Sequence, residues 1–536
     1  MPTMKKQLES EYITSVSSEH RKKYGQFFTP KHISDLMAKW VTKDLAKGAT
    51  ILDPAVGLGV FIRSMKEQLT AGQQRNVTFF GYEIDRKILD YFAAHLDDTN
   101  ITIFHEDYLT SNWKNTYDAI ICNPPYLKFH DYEDKDTLLK IVSEEMNLEL
   151  SGFTNIYTLF LLKALHQLNH GGRAAFIIPS EFLNSDYGKQ IKQYLLDSKL
   201  LKFVVILDFT TNWFEDATTT SALFFFEKKN PKDFIEFINI DSKEKLERTE
   251  SYISKYPEQP RLGNTVALTD IDINKKWRIY YQGENSSKYK NLKAFSNFAK
   301  ASRGIATGAN EFFKFNKTKQ AQYQIANQFL IPCLTKAVQV DKNFFTTDDF
   351  NNLWENDKHV KLLNAYTKDL HDENLKNYIK YGEKLGYHER YLTKNRNPWF
   401  KNETREPAPI LVGVFNREKI KFIRNEANVV NLTTFHCIYM LPMYDEYTNV
   451  LMAYLLTDVA QEILEDSRRE YGRGLKKFEP NDINTSLVID LDSLTTEQIQ
   501  FITDIYQVLR EKQLNGAEIT MELHTLNKFF KSLLVI

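Results

Sequence analysis

The run Asp118-Ala-Ile-Ile-Cys-Asn123-Pro124-Pro125-Tyr126 brings an amide, two prolines and an aromatic ring to the end of an apolar stretch. The Asn123 side-chain oxygen is an acceptor, and Pro124, which lacks an N–H, still offers its carbonyl. Together they suit both hydrogens of a planar exocyclic NH2, drawing its nitrogen toward sp3 geometry and freeing its lone pair for attack. Pro124 and Pro125 stiffen the loop, and Tyr126 offers a face on which a heterocycle can stack. None of these groups is a base near neutral pH, so the chemistry is positioning and polarisation rather than proton abstraction. A Pro-Pro turn closing a strand would use the same residues structurally, and the neighbouring elements decide between the two.

Upstream, Thr50-Ile-Leu-Asp-Pro-Ala-Val-Gly-Leu-Gly-Val-Phe61 reads as a buried strand ending at Asp53, a turn through Pro54, Ala55, Gly57 and Gly59, and a helix carrying Phe61, Ile62, Met65 and Leu69. The glycines do not complete G-x-G-x-x-G and no Walker lysine follows, so a phosphate is not the predicted ligand. A second strand, from Thr78, ends at Glu83-Ile84-Asp85, where an acid suits two ribose hydroxyls. A third, Ile101–Phe104, leads to Asp107 and Tyr108, and Asp107 can accept from an adenine amine. Any one of these acids serves equally well as a helix cap. In order, at successive strand ends, they predict a cleft for adenosine.

These segments resemble the TaqI-type, or gamma-group, adenine-N6 DNA methyltransferases over about the first 230 residues. Tyr24-Gly-Gln-Phe-Phe-Thr29-Pro30 is similar to the family's methionine-end segment, Asn155-Ile-Tyr-Thr-Leu-Phe160 to its helix behind the catalytic loop, and His170-Gly-Gly-Arg-Ala-Ala-Phe-Ile-Ile-Pro-Ser180 to its turn and following strand. The resemblance implies an α/β class I fold: a seven-strand, mostly parallel sheet with helices on both faces and a C-terminal α+β target-recognition domain. It implies S-adenosylmethionine as cofactor, with S-adenosylhomocysteine as product and no metal. Thr29, Pro30, Asp53, Pro54, Ala55, Gly57, Gly59, Glu83, Ile84, Asp107, Tyr108 and Asn123 would hold the cofactor. Asn123, Pro124, Pro125 and Tyr126 would form the catalytic loop, and Phe214, in Asn212-Trp-Phe214, a second aromatic face for the target. Asn123 resembles adenine-specific members, whereas cytosine-N4 enzymes usually carry Ser. A duplex base hides its amine, so it must be swung out of the stack at a cost of a few kcal/mol, which stacking of about 1–3 kcal/mol per base offsets.

At 536 residues the chain exceeds a single core. Cys122, Cys333 and Cys437 show no metal spacing and predict a reducing compartment. No apolar run reaches the roughly 20 residues of a membrane span, and a cytoplasmic protein is predicted. A formal net charge of -1 requires that the cations meeting DNA phosphates be gathered on one face. Residues 1–240 are predicted to be catalytic, 241–295 a connector, 296–490 the recognition domain and 491–536 terminal helices packed on it. Candidate contacts to double-stranded DNA are Arg303, Thr307 and Asn310, then Lys394, Arg396, Trp399 and Lys401, and finally Arg473 and Lys476, where basic, amide and aromatic residues interleave. The polar run from Leu127 to Asp136 reads as a lid or the edge of a groove.

The same loop serves RNA adenine and protein-glutamine methyltransferases, which would not require the basic-aromatic second half. An inert DNA-binding module would not require the cofactor acids. The predicted activity is therefore methyl transfer to adenine N6 in a restriction-modification system, with cleavage left to a separate endonuclease and no fused nuclease.

Overall fold

The computed structural model describes residues 7–94, 99–127, 134–207, 221–229, 231–257, 261–416, 418–471 and 475–536. Two compact units divide the chain, Met1–Gly283 and Glu284–Glu470 with Leu475–Ile536. The first is built on one mixed sheet. Its strands are β1 (Thr50–Asp53), β2 (Thr78–Tyr82), β3 (Ile101–Phe104), β4 (Tyr117–Cys122), β5 (Leu168–Pro179), β6 (Leu201–Leu207), β7 (Ser221–Glu227), β8 (Phe234–Ile240) and β9 (Asn264–Ala267). Their order is β3-β2-β1-β4-β5-β7-β6-β8-β9.

Pairing is parallel from β3 through β5, and β7 runs antiparallel between β5 and β6. Among the described residues the sheet holds nine strands, the predicted seven extended at one edge by β8 and β9. The segment 241–295, predicted to connect, instead supplies the helix Lys243–Ser254 and β9, which pairs antiparallel with β8. Its charge-rich composition misled because that helix buries only Leu246, Thr249 and Ile253.

The two-residue period of the strands sorts side chains onto two cores. Along β4, Ile120 and Cys122 face one core, shared with Leu159, Leu162 and Ala164 of the helix Ile156–His166. Ala119 and Ile121 face the other, shared with Met37 and Trp40 of the helix Lys31–Thr42. Covered on both sides, β6 and β7 are buried at every position, which their near-continuous apolar sequence permits. Trp40 ties helix to sheet: its indole N–H lies 3.1 Å from the Ala174 and Phe226 carbonyls, and the Arg173 guanidinium sits 4.7 Å over its ring. Arg173 and Glu227, both buried, pair at 3.0 Å.

In the second unit, strands 299–303, 435–440, 410–413, 422–425 and 344–345 form a five-stranded sheet in that order. The helices Thr496–Leu514 and Thr520–Leu534 bury Ile502, Leu509, Leu526, Phe530 and Leu534 in the same core as the helix Thr448–Leu455.

Arg173→Met should lower unfolding free energy by about 3–5 kcal/mol, because it strands the Glu227 carboxylate in the interior. Arg173→Met with Glu227→Met should recover most of that loss in urea titrations. A double variant no more stable than the single one would show that the pair is not the source of the loss.

Candidate active site

A cavity of about 610 Å³ lies along the C-terminal ends of β1, β2, β3 and β4. It is walled by residues 23–29, 54–58, 82–84, 106–108, Asn123, Pro125 and Phe160, among others. Of the residues picked from sequence, Thr29, Pro54, Ala55, Gly57, Glu83, Ile84, Asp107, Tyr108, Asn123 and Pro125 therefore meet in one place. Pro30, Asp53, Gly59 and Pro124 lie next to that wall in sequence without lining it. Pro30 precedes the helix Lys31–Thr42, its carbonyl accepting from Ile33 and Ser34 at 3.0 Å. Gly59, at φ +71°, starts the helix Val60–Gln68. Pro124 is buried, as is Asp53.

Two acids sit at adjacent strand ends. The Ala55 N–H donates to Asp53 Oδ1 at 3.2 Å, while Oδ2 is buried with no hydrogen-bond partner among the described residues. Burial pushes the Asp53 acid up to about 8, assisted by the nearby Glu83 charge, since an unpaired buried charge is costlier than a proton. Glu83 accepts from the Gly57 and Asp85 N–H groups at 3.1 and 2.9 Å. Burial outweighs those bonds and raises it to about 7. Gly57, at φ +52°, puts its N–H toward this acid in a conformation that other residues rarely adopt.

Asn123 has its amide orientation settled by its partners. Its NH2 donates to the Phe27 carbonyl at 2.8 Å and to Thr29 Oγ1 at 3.0 Å. A carbonyl only accepts, so the NH2 must face it and Oδ1 must face away. That Oδ1 is buried and has no hydrogen-bond partner among the described residues. The segment Tyr24–Thr29 thus acts as a strap over the loop. Gly25, at φ +62°, is indispensable to it: a Cβ there would lie 2.8 Å from the Tyr126 backbone nitrogen. Asp85 anchors the strap, its Oδ2 lying 2.7 Å from both His20 Nε2 and Gln26 Nε2.

Tyr126, predicted to offer a face to a heterocycle, is braced by the protein. Its ring stacks on Phe27, centroids 5.5 Å apart at 28°, and its hydroxyl donates to the Ile177 carbonyl at 3.1 Å. Phe27 therefore covers one of its faces. Sequence reasoning missed Gly25, Phe27 and Asp85 as supports, although Gly25 stands beside Tyr24 in the segment it quoted. Phe214 lies outside the described residues, as do residues 128–133 of the predicted lid.

The second unit joins two predicted segments that are 89 positions apart. Arg396 Nη1 donates to the Thr307 carbonyl at 2.9 Å and to Asn402 Oδ1 at 3.2 Å, and Nη2 donates to the Ala306 carbonyl. A Cβ on Gly308 would meet Leu392 Cβ at 2.8 Å. Thr307 is buried, its hydroxyl donating to Asn310 Oδ1 at 2.6 Å. The Trp399 ring packs 5.1 Å from Phe312, and its N–H donates to Glu383 at 3.0 Å. Arg396, Thr307 and Trp399, read as DNA contacts, are thus joined to the protein's own groups, because a packed junction needs donors for its carbonyls as much as a phosphate does. Lys394, Lys401 and Asn310 are exposed. Exposed Arg303 pairs with Glu479 at 3.2 Å. Arg473 and the Lys476 side chain lie outside the described residues.

A two-sided α/β sheet with acids at successive strand ends and an amide-bearing loop beside the resulting cavity defines a class I methyltransferase. Residues 10–302 match the family described as N-6 DNA Methylase, and residues 281–522 match the C-terminal domain of Type II methyltransferase M.Eco57I. The chain belongs to the N-6 DNA methylase family and is an adenine-specific DNA methyltransferase. It is 45% identical over 520 residues to Type II methyltransferase M.AccI of Acinetobacter calcoaceticus, covering 96% of this chain and 94% of that protein. It is 24% identical over 456 residues to Type II methyltransferase M.HindII of Haemophilus influenzae, covering 80% and 83%. The solved Type IIL restriction-modification enzyme MmeI in complex with DNA shares the fold, with a TM-score of 0.62 at 15% identity over 98% of this chain and 78% of that one.

The raised Asp53 acid makes native protein bind more protons than unfolded chain between its ordinary value near 4 and about 8. Its contribution to stability is complete below that window and lost as pH rises through it. Asp53→Asn should therefore flatten the fall in urea midpoint between pH 5 and 8.5 measured without cofactor. Parallel curves for the two proteins would remove the assignment.

Proposed function

We propose that this enzyme binds double-stranded DNA, receives an adenine swung out of the stack, and methylates its N6 with S-adenosylmethionine held in the cavity at the ends of β1, β2 and β3. The reading includes gamma-group membership, a recognition role for the second unit, a separate cognate endonuclease and a cytoplasmic setting. The observation that carries it is Asn123 Oδ1: an acceptor, buried and unpartnered, on the wall of that cavity, with its amide locked from behind. Leaving such a group unmade costs about 1–3 kcal/mol, which a donor arriving with the substrate relieves.

The wall suits an uncharged nucleoside. Among the described residues Lys23 is its only cation, so phosphates would find little there, while Glu83 and Asp107 offer acceptors to ribose hydroxyls and an adenine amine. The volume lies in the range of small-molecule sites. When bound, the cofactor supplies an electrophilic methyl group. The chain contributes acceptors: Asn123 Oδ1 and the Pro124 carbonyl take the two N6 hydrogens and leave the lone pair directed outward. No side chain of the loop takes the proton, which passes to solvent. Tyr126, braced on Phe27, offers its remaining face to the base.

Incubation with tritiated S-adenosylmethionine and duplex DNA should label methyladenine, and label confined to RNA or protein would overturn the reading. Asn123→Ala should lower kcat about a hundred- to a thousandfold while S-adenosylhomocysteine affinity changes less than about tenfold. Equal losses in both would assign Asn123 to the cofactor instead.

Lys394→Ala and Lys401→Ala should each reduce the slope of DNA affinity against salt by about one. Arg396→Ala should lower the melting temperature and leave that slope unchanged. A slope altered by Arg396 and not by the lysines would invert the assignment.

A further inference from the structure

The cavity wall at Glu106–Tyr108 belongs to a turn with little secondary structure of its own, yet it must present Asp107 in a fixed direction if it is to select a ligand. What holds it is a buried lysine. Lys163, on the helix Ile156–His166 one turn beyond the wall residue Phe160, is wholly inaccessible. Its ammonium donates to the Tyr108 carbonyl, to the Ser111 carbonyl at 2.8 Å and to Ser111 Oγ at 3.1 Å. All three donor positions are therefore used on one turn. The same ammonium lies 4.6 Å from the Tyr108 ring centroid and 4.9 Å from that of Trp113, where ring faces stabilise a cation.

One helical turn further, Gln167 completes the grip. Its Oε1 accepts from the Tyr108 hydroxyl at 2.7 Å and its Nε2 donates to the Asn112 carbonyl at 2.9 Å. Within the turn, the Leu109 N–H donates to Asp107 Oδ1 at 2.9 Å, so the tethered backbone fixes the acid's direction. A buried ammonium is expensive, and burial lowers the Lys163 pKa to about 7 against the opposing pull of Asp107 and Glu145. A methionine of similar length would fill this space without that cost. The lysine stands where it ties down a stretch of wall that neither strand nor helix organises.

We propose that Lys163 is a positioning residue for the cofactor, its ammonium fixing the 107–111 turn that presents Asp107 to the adenine end of S-adenosylmethionine. This rests on the reading of the cavity as the cofactor site. Lys163 touches neither the methyl donor nor the target base, so its influence falls on affinity for the adenosine half and not on transfer.

The test is titration calorimetry of wild-type enzyme and Lys163→Met with S-adenosylhomocysteine and with 5′-methylthioadenosine, which keeps only the nucleoside end. Lys163→Met should weaken both ligands by a similar factor, about tenfold, raise the cofactor KM alike, and leave kcat at saturating cofactor and DNA affinity within about twofold. Unchanged affinities in a folded variant would overturn the inference. So would a kcat and DNA affinity that fall together with cofactor affinity, the signature of general loosening. If Lys163→Met does not fold, Lys163→Gln, which keeps a donor for one carbonyl, should show the same selective loss in smaller measure. Failure of the wild type to bind either ligand would instead remove the reading of the cavity itself.

Discussion

The joint on which the site depends is the Asn123 amide. Its NH2 is held by the strap at Phe27 and Thr29, and only this makes its carbonyl oxygen a fixed acceptor rather than a rotor with two exchangeable ends. The strap in turn lies close because Gly25 has no Cβ, and it stays in place because Asp85 holds His20 and Gln26. Asp85 also accepts from the Lys87 N–H at 3.1 Å, capping the helix Arg86–Ala93. One carboxylate thus couples the start of a sheet-packed helix to the orientation of an amide on a different strand. Preorganisation of this kind lets an acceptor act on a developing charge without first being ordered.

The acids follow the opposite logic. Asp53 is buried and Glu83 half-buried close to it, and desolvation keeps either from ionising readily. Glu83 is supplied with two backbone donors and Asp53 with one, so the two carboxyls are unequal in how far they can carry charge. Placing both at strand ends, where backbone N–H groups of the following turns converge, is what a parallel sheet provides without special side chains. The parallel order β3-β2-β1-β4 sets these ends side by side, which is why acids scattered over some fifty positions of sequence become neighbours.

Most of that arrangement was legible because it is local: each acid sits just after an apolar run, and the strand period places it. The strap was less legible, since nothing in Tyr24–Thr29 states that it crosses to a loop a hundred positions away. Lys163 was not legible at all, because a lysine in an apolar helix reads as a solvent-facing residue until the turn it serves is known. In the second half, composition picked out segments that the structure brings together at one junction, and it did not reveal how several of their donors are used. Arg396 and Trp399 stand among exposed cations, yet their donors are used by Ala306, Thr307, Asn402 and Glu383. Interleaved basic and aromatic residues mark a nucleic-acid surface and a packed loop junction equally well.

This internal use of cations bears on how a nearly neutral protein can meet a polyanion. Lys319 donates to the Glu311, Phe312 and Lys314 carbonyls at 2.7–2.8 Å, and Arg510 forks onto Glu426 at 2.6 and 2.7 Å. Arg396 and Arg424 likewise hold backbone carbonyls. Each such group is counted in the formal charge of -1 but releases no counterion when DNA arrives, because its donors are already committed. In the proposed complex, cations free to meet phosphates are the exposed ones, Lys394 and Lys401 among them.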